Sequence, residues 1–107
     1  GVGEDGHCAS IFPDRTDLIH SSEICEAVTH PATGKWRITL TGGPLISARR
    51  LVYIVTGRSK SKVIGDILNN EPGAQGFPAF MVGSLNTHTD WFLDEEAAKS
   101  LKISCRD

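Results

Sequence analysis

Five consecutive apolar residues, Leu51-Val52-Tyr53-Ile54-Val55, constrain this chain more than any other feature. A strand apolar on both faces suits a parallel sheet covered by helices, and Thr56-Gly57 supplies a turn at its C-terminal end. The next segment, Ser59 to Asn70, sets Val63, Ile64, Ile67 and Leu68 on one helical face and leaves Lys60, Lys62 and Asp66 elsewhere. Upstream, Lys35 to Thr41 alternates large apolar with polar residues and reads as a half-buried strand ended by Gly42-Gly43. A short helix is expected over Pro44 to Arg50, and another over Ser21 to Ala27, the latter region closed by a Pro31-Ala32-Thr33-Gly34 turn. Downstream of a Pro72 to Pro78 loop, β-like patches fall at Phe80 to Val82 and Trp91 to Leu93. Asp94 then caps a last helix, with Leu93, Ala97, Ala98 and Leu101 on one stripe and Glu95 and Glu96 in the first turn. This order predicts an α/β fold with right-handed crossovers, whose ligands bind outside the carboxyl ends of the strands.

A length of 107 residues suffices for one small domain, since independent cores need about 100 residues each. The chain is expected to be a single α/β domain over 1–107 or the C-terminal portion of one. Hydrophobic residues at 39% and charged residues at 22% exclude a disordered tail. A formal net charge of −2 argues against nucleic acid as a partner, because phosphate-backbone binding needs a concentrated basic excess. The basic run Arg49, Arg50, Arg58, Lys60 and Lys62 has two readings, a solvated face or a site for a small anion. Cys8, Cys25 and Cys105 are odd in number, with no C-x-x-C pair and no zinc-ligand spacing. They read as reduced thiols of a cytoplasmic protein without a metal. No signal-peptide pattern opens the chain, and no apolar stretch approaches the length of a membrane span, so no membrane association is expected.

Gly1-Val2-Gly3-Glu4-Asp5-Gly6-His7 has three glycines in six positions, a pattern for a loop that turns tightly or approaches a ligand. Domains seldom begin on such a loop, so a strand is expected to precede Gly1. Asp5 and His7 stand two residues apart, where a carboxylate orients an imidazole and leaves its other nitrogen free for a proton. The same tripeptide also suits an ordinary turn, and spacing alone does not separate the two readings. His20, His30 and His88 lack a partner at useful spacing and read as surface or structural residues. Cys8 and Ser10 lie near His7 but have no G-x-S-x-G context, and both read as structural.

The longer pattern Gly1-Val2-Gly3-Glu4-Asp5-Gly6-His7-Cys8-Ala9-Ser10-Ile11-Phe12-Pro13 closely resembles the G-x-G-x-D-G-H-x-A-S-[LI]-F-P signature of 6-phosphogluconolactonases. Further similarities follow in the family's order: Arg37 to Thr41 with Pro44-Leu45-Ile46-x-Ala48-Arg49, then Val55-Thr56-Gly57-x-x-Lys60, then Trp91 to Asp94 with Ala97-Ala98. The resemblance implies the Rossmann-like parallel-sheet fold shared by lactonases and sugar-phosphate isomerases. It also implies hydrolysis of 6-phosphoglucono-δ-lactone to 6-phosphogluconate, a step of the oxidative pentose phosphate pathway, with no metal or organic cofactor. On the same ground His7 is implied as the general base, Asp5 as its neighbour, and Lys60 as a phosphate-contacting lysine. Gly3 and Gly6 are implied as loop backbone. A helix N-terminus with an ammonium is independently a good phosphate receptor. Arg37 either adds positive charge to the site or is an outward strand residue.

Glucosamine-6-phosphate deaminases or isomerases share the D-G-H loop and the lysine, but carry a glutamate five positions after the histidine. Phe12 occupies that position and cannot relay a proton, which favours lactone hydrolysis over ring opening. The chain departs from the family pattern by lacking its N-terminal half, by Gly42-Gly43 before Pro44, and by Gly83-Ser84-Leu85-Asn86 before the Trp91 motif. Three readings follow: the C-terminal part of a lactonase, a deaminase-like enzyme, or a non-catalytic module whose incomplete sheet pairs with another chain or with itself.

Overall fold

In the computed structural model, which describes residues 1–102, the apolar run is strand β3 (Leu51–Val55). It pairs in parallel with strand β4 (Thr89–Leu93), Tyr53 opposite Trp91 and Val55 opposite Leu93. The Tyr53 and Trp91 rings stack at 4.1 Å, and Tyr53 and Val55 are buried. The opposite face of the pair, Val52, Ile54 and Phe92, is exposed. The expected strand with two covered faces is therefore covered here on one.

Helix α2 (Ser61–Leu68) follows a short 3-10 turn, Arg58–Lys60, and buries Val63, Ile64 and Ile67. Its apolar residues recur at three- and four-residue intervals, so one stripe meets the sheet while Lys62 and Asp66 pair at 3.1 Å outside. Helix α1 is shorter than expected, Gly42–Ser47 in place of Pro44 to Arg50. Gly42 is required there: a Cβ at this position would lie 2.0 Å from the carbonyl oxygen of Ile19. One glycine of the unexpected pair is thereby explained, whereas a Cβ at Gly43 would meet nothing within 4 Å.

Three segments adopt a different kind of secondary structure from the one expected. The region expected as a helix over Ser21 to Ala27 instead leads into strand β1 (Cys25–Thr29), antiparallel to strand β2 (Trp36–Leu40), with Ala27 opposite Ile38. Gly34 at φ +70° closes the hairpin turn, and ladder pairing over five residues outweighs the weak preference of so short a helix. The patch Phe80 to Val82 lies in helix α3 (Pro78–Leu85), because Pro78 starts a helix at its first turn and the side chains of Ala79 and Val82 are needed in the core. After Asp94 the chain forms turns in place of a helix, and the Asp94 carboxylate accepts from both Gly57 N–H (3.1 Å) and Ala97 N–H (2.9 Å).

The strand Lys35 to Thr41 is present as β2, but with its faces reversed from a half-buried apolar pattern. Thr39 is buried, whereas Trp36 and Ile38 are 74% and 79% exposed. Ile24 and Leu40 continue this apolar surface. The main core joins Phe12, Ile11, Leu18, Ile19, Val28, Ile64 and Val82. Burying each large aliphatic or aromatic side chain of this set contributes about 1.5–3 kcal/mol. Phe12 and Ile11 belong to the opening loop, so its closing residues are fixed by packing as well as by hydrogen bonds.

Candidate active site

The loop before Pro13 folds back on itself. Val2 bridges Cys8 in antiparallel fashion, Gly3 N–H donates to the His7 carbonyl at 2.9 Å, and Gly6 N–H to the Gly3 carbonyl at 2.9 Å. Gly6 adopts φ +89°, a left-handed conformation that residues with a Cβ rarely adopt. A Cβ there would also lie 2.4 Å from the Phe77 ring. Gly3 is needed for a different reason: a Cβ would lie 2.1 Å from two atoms of the His7 ring. The Gly6 carbonyl accepts the Ala79 N–H at 2.9 Å, which ties the loop to the first turn of α3.

Within this loop Asp5 and His7 form a dyad. One oxygen, Asp5 Oδ1, accepts the backbone N–H of His7 at 3.0 Å and lies 2.6 Å from His7 Nδ1. The short contact to a carboxylate assigns the ring proton to Nδ1 and leaves Nε2 as the acceptor. Partial burial pushes the Asp5 carboxyl up, but the hydrogen bonds from His7 and the imidazole charge outweigh it, so the carboxyl titrates below its ordinary range. The His7 side chain is 28% exposed, open enough to meet a ligand from solvent.

Lys60 stands just before α2, and its Nζ donates to the Val2 carbonyl at 2.6 Å across 58 residues of sequence. Val2 is the bridge partner of Cys8, the neighbour of His7, so the ammonium is fastened to the base of the dyad loop. Among the described residues Val2 is its hydrogen-bond partner, and an ammonium carries three N–H donors. The other members of the basic run separate from it. Arg50 pairs with Asp90 at 3.4 Å, Arg58 with Glu96 at 3.0 Å and Lys62 with Asp66 at 3.1 Å, and Arg49 is exposed, which fits a solvated face.

Arg37 lies on β2, two residues from Thr39 and therefore on the same face of the strand. Thr39 Oγ1 accepts the Ser10 N–H at 2.9 Å, so this face of the hairpin meets the opening loop, and Arg37 is exposed on it. The two cysteines among the described residues are free; Cys105 lies outside them. Cys8 is buried, which pushes its thiol up despite its contact with Tyr53 and the N-terminal charge, the opposite of what a nucleophile needs. The Tyr53 hydroxyl, raised by burial and by Cys8, donates to the Ala79 carbonyl at 3.0 Å and is structural.

Two ring contacts complete the site. The buried Phe12 ring lies 4.8 Å from the His7 ring, and His30, from the hairpin turn, lies 5.0 Å from Phe12. The position of Phe12, five residues after His7, stands out in the sequence, whereas nothing local signals the contact of His30. Among the described residues, no cluster of three or more His, Cys, Asp or Glu side chains is arranged to hold a metal ion. Nor is any helix long and apolar enough to cross a membrane.

Residues 1–91 match the family described as glucosamine-6-phosphate isomerases/6-phosphogluconolactonase. The chain is 34% identical over 101 residues to a 6-phosphogluconolactonase of Aggregatibacter actinomycetemcomitans, covering 94% of this chain and 43% of that protein. It is 36% identical over 104 residues to the 6-phosphogluconolactonase of Homo sapiens, covering 96% and 40%. Among solved structures, the devB protein superposes with a TM-score of 0.83 at 36% identity, covering 92% of this chain and 41% of that one. The 6-phosphogluconolactonase of Trypanosoma brucei superposes at 0.77 with 29% identity, covering 94% and 40%. The chain thus spans about two fifths of the length of the relatives it matches, the C-terminal part. With the D-G-H dyad, the parallel β3–β4 pair and the family match over most of its length, the chain belongs to the glucosamine-6-phosphate isomerase/6-phosphogluconolactonase family.

Proposed function

We propose that this chain carries the catalytic loop of an enzyme that hydrolyses 6-phosphoglucono-δ-lactone to 6-phosphogluconate. The observation that carries this reading is the Asp5–His7 dyad, 2.6 Å apart, with the second imidazole nitrogen free to take a proton. His7 Nε2 accepts a proton from water as its oxygen attacks the lactone carbonyl carbon. The carbonyl π pair moves to oxygen, giving a tetrahedral oxyanion. The ring C–O bond then breaks, the departing ring oxygen takes the proton back from His7, and the new carboxyl group ionises. Asp5 keeps the imidazole in the tautomer this exchange needs and stabilises the transient imidazolium.

Lys60, fastened beside the dyad loop, is the proposed phosphate ligand, and Arg37 on the loop-facing side of β2 is the proposed second cation. Two apolar surfaces, Val52-Ile54-Phe92 on the sheet and Ile24-Trp36-Ile38-Leu40 on the hairpin, stand exposed. They support a reading in which the working enzyme includes further polypeptide of the kind the longer relatives possess. Pairing of this chain with itself through the same surfaces is the alternative. A cytoplasmic location fits a sugar-phosphate substrate.

The competing reading is a glucosamine-6-phosphate deaminase. It is disfavoured by Phe12, which stands five positions after His7 where that family carries a glutamate and whose ring, 4.8 Å from the imidazole, cannot relay a proton. The test is a pair of assays on a polypeptide joining this chain to the N-terminal part of the family fold: lactone hydrolysis, and ammonia release from glucosamine 6-phosphate. Lactone turnover without ammonia supports the proposal. Ammonia release without lactone turnover rejects it.

A further inference from the structure

We infer that His30 and Phe12 are positioning residues that fix the direction of the His7 imidazole, an inference that rests on reading His7 as the base. Asp5 holds His7 through one side-chain contact, at Nδ1. Held by its Cβ–Cγ bond and by one hydrogen bond at Nδ1, the ring can still rock about the line through those two points, which moves Nε2. Something must bear on the side of the ring if Nε2 is to keep one heading. Gly3 crowds the Nδ1–Cε1 edge of the ring, and the side-chain neighbour is Phe12, 1% exposed, its centroid 4.8 Å from the imidazole and its plane tilted by 51°.

Phe12 is itself backed by His30, edge-on at 5.0 Å and 62°. His30 does not move freely. Its Nδ1 accepts the N–H groups of Ala32 (3.0 Å) and Thr33 (3.3 Å), and its backbone N–H donates to the Lys35 carbonyl at 2.8 Å. The ring is therefore locked to the turn of the β1–β2 hairpin. That hairpin is fastened to the opening loop a second time where Thr39 Oγ1 accepts from Ser10 N–H. The order of support runs from the hairpin turn through His30 and Phe12 to His7. A residue in a distant turn thereby sets the aim of the base through Phe12.

The ring and the turn acceptor of His30 can be separated by substitution. His30→Phe keeps the ring against Phe12 and discards the acceptor. His30→Asn keeps an acceptor for the turn N–H groups, as Asn does in Asx turns, and discards the ring. Two readouts apply: the ring nitrogen resonances of His7 in the 107-residue chain, and kcat and KM for the lactone in the joined polypeptide. The expected result is strongly shifted or broadened His7 resonances in His30→Asn, which loses the ring against Phe12, and a smaller disturbance in His30→Phe, which loses only the lock to the turn. His30→Asn should also lower kcat roughly tenfold with KM within about twofold, since misaiming a base by a fraction of an ångström acts on the chemical step. If both variants keep the parental His7 resonances, or His30→Phe is disturbed as much as His30→Asn, the inference is overturned. The resonance readout does not depend on turnover, so an enzyme inactive on the lactone would reject the functional reading while leaving this result decisive.

Discussion

A single methyl group at position 3 should disable the dyad while sparing most of the fold. In Gly3→Ala the new Cβ would sit 2.1 Å from both Cε1 and Nδ1 of His7 and 2.8 Å from Asp5 Oδ1. Ordinary contact between such atoms begins near about 3.5 Å, so the imidazole must retreat by roughly 1.4 Å. A 2.6 Å hydrogen bond does not survive a displacement of that size. The dyad is partly open to water, so the stability lost with this bond is only about 0.5–1 kcal/mol. The loss of an oriented base is far larger in rate, on the order of 10²- to 10⁴-fold in kcat. Gly6→Ala supplies the contrast. It forces a Cβ into φ +89° and to within 2.4 Å of the Phe77 ring, and left-handed strain plus overpacking cost about 2–5 kcal/mol. Urea denaturation of the chain and kcat of the joined polypeptide separate the two effects. A Gly3→Ala variant with parental kcat and parental His7 ring resonances would refute the geometry from which these figures are worked.

Lys60→Met should do two things: release the Val2 carbonyl, costing about 1–2 kcal/mol in urea denaturation, and raise KM for the lactone by about tenfold or more. An unchanged KM would remove Lys60 from the phosphate site, and an unchanged denaturation midpoint would remove it as a strut. Thr39→Val leaves the Ser10 N–H without its partner and should destabilise the chain by about 1–3 kcal/mol, read by the same denaturation. Asp5 also predicts a pH dependence. Its folded value lies below its unfolded one, so its stabilisation is fully present above the unfolded value of about 3.9 and is lost as pH falls through the folded value. Asp5→Asn should flatten that part of the acid limb of a stability profile, and an unaltered limb would contradict the assignment.

The parts of this molecule legible in sequence are those whose cause is local. Five apolar residues in a row specify β3 whatever surrounds them, and the Val63-Ile64-Ile67-Leu68 stripe specifies α2. The dyad is legible because Asp5 and His7 share one glycine-rich turn. Strand β1 is not, because Cys25 to Thr29 becomes a strand only through its ladder with residues 36–40. Phe80 and Val82 favour strands by type, but the ties of Ala79 to Gly6 and Tyr53 hold that segment as a helix. After Asp94 the capping bond to Ala97 N–H forms as expected, yet the chain continues in turns over 95–100, and the tie of the same carboxylate to Gly57 is not signalled locally. The contacts that assemble the site, Lys60 with Val2, Thr39 with Ser10 and His30 with Phe12, join residues 58, 29 and 18 positions apart. No spacing rule reaches across such separations, since they depend on how the hairpin and helices dock.

One substitution bears on the central claim without intermediaries. In the joined polypeptide, His7→Ala removes the proposed proton acceptor, a partly exposed side chain that lies outside the buried core cluster. The lactone kcat should fall by about 10²- to 10⁴-fold while the thermal midpoint stays near that of the parent. A variant that hydrolyses the lactone at the parental rate would mean that another group takes the proton, and the role assigned to the Asp5–His7 pair would be wrong.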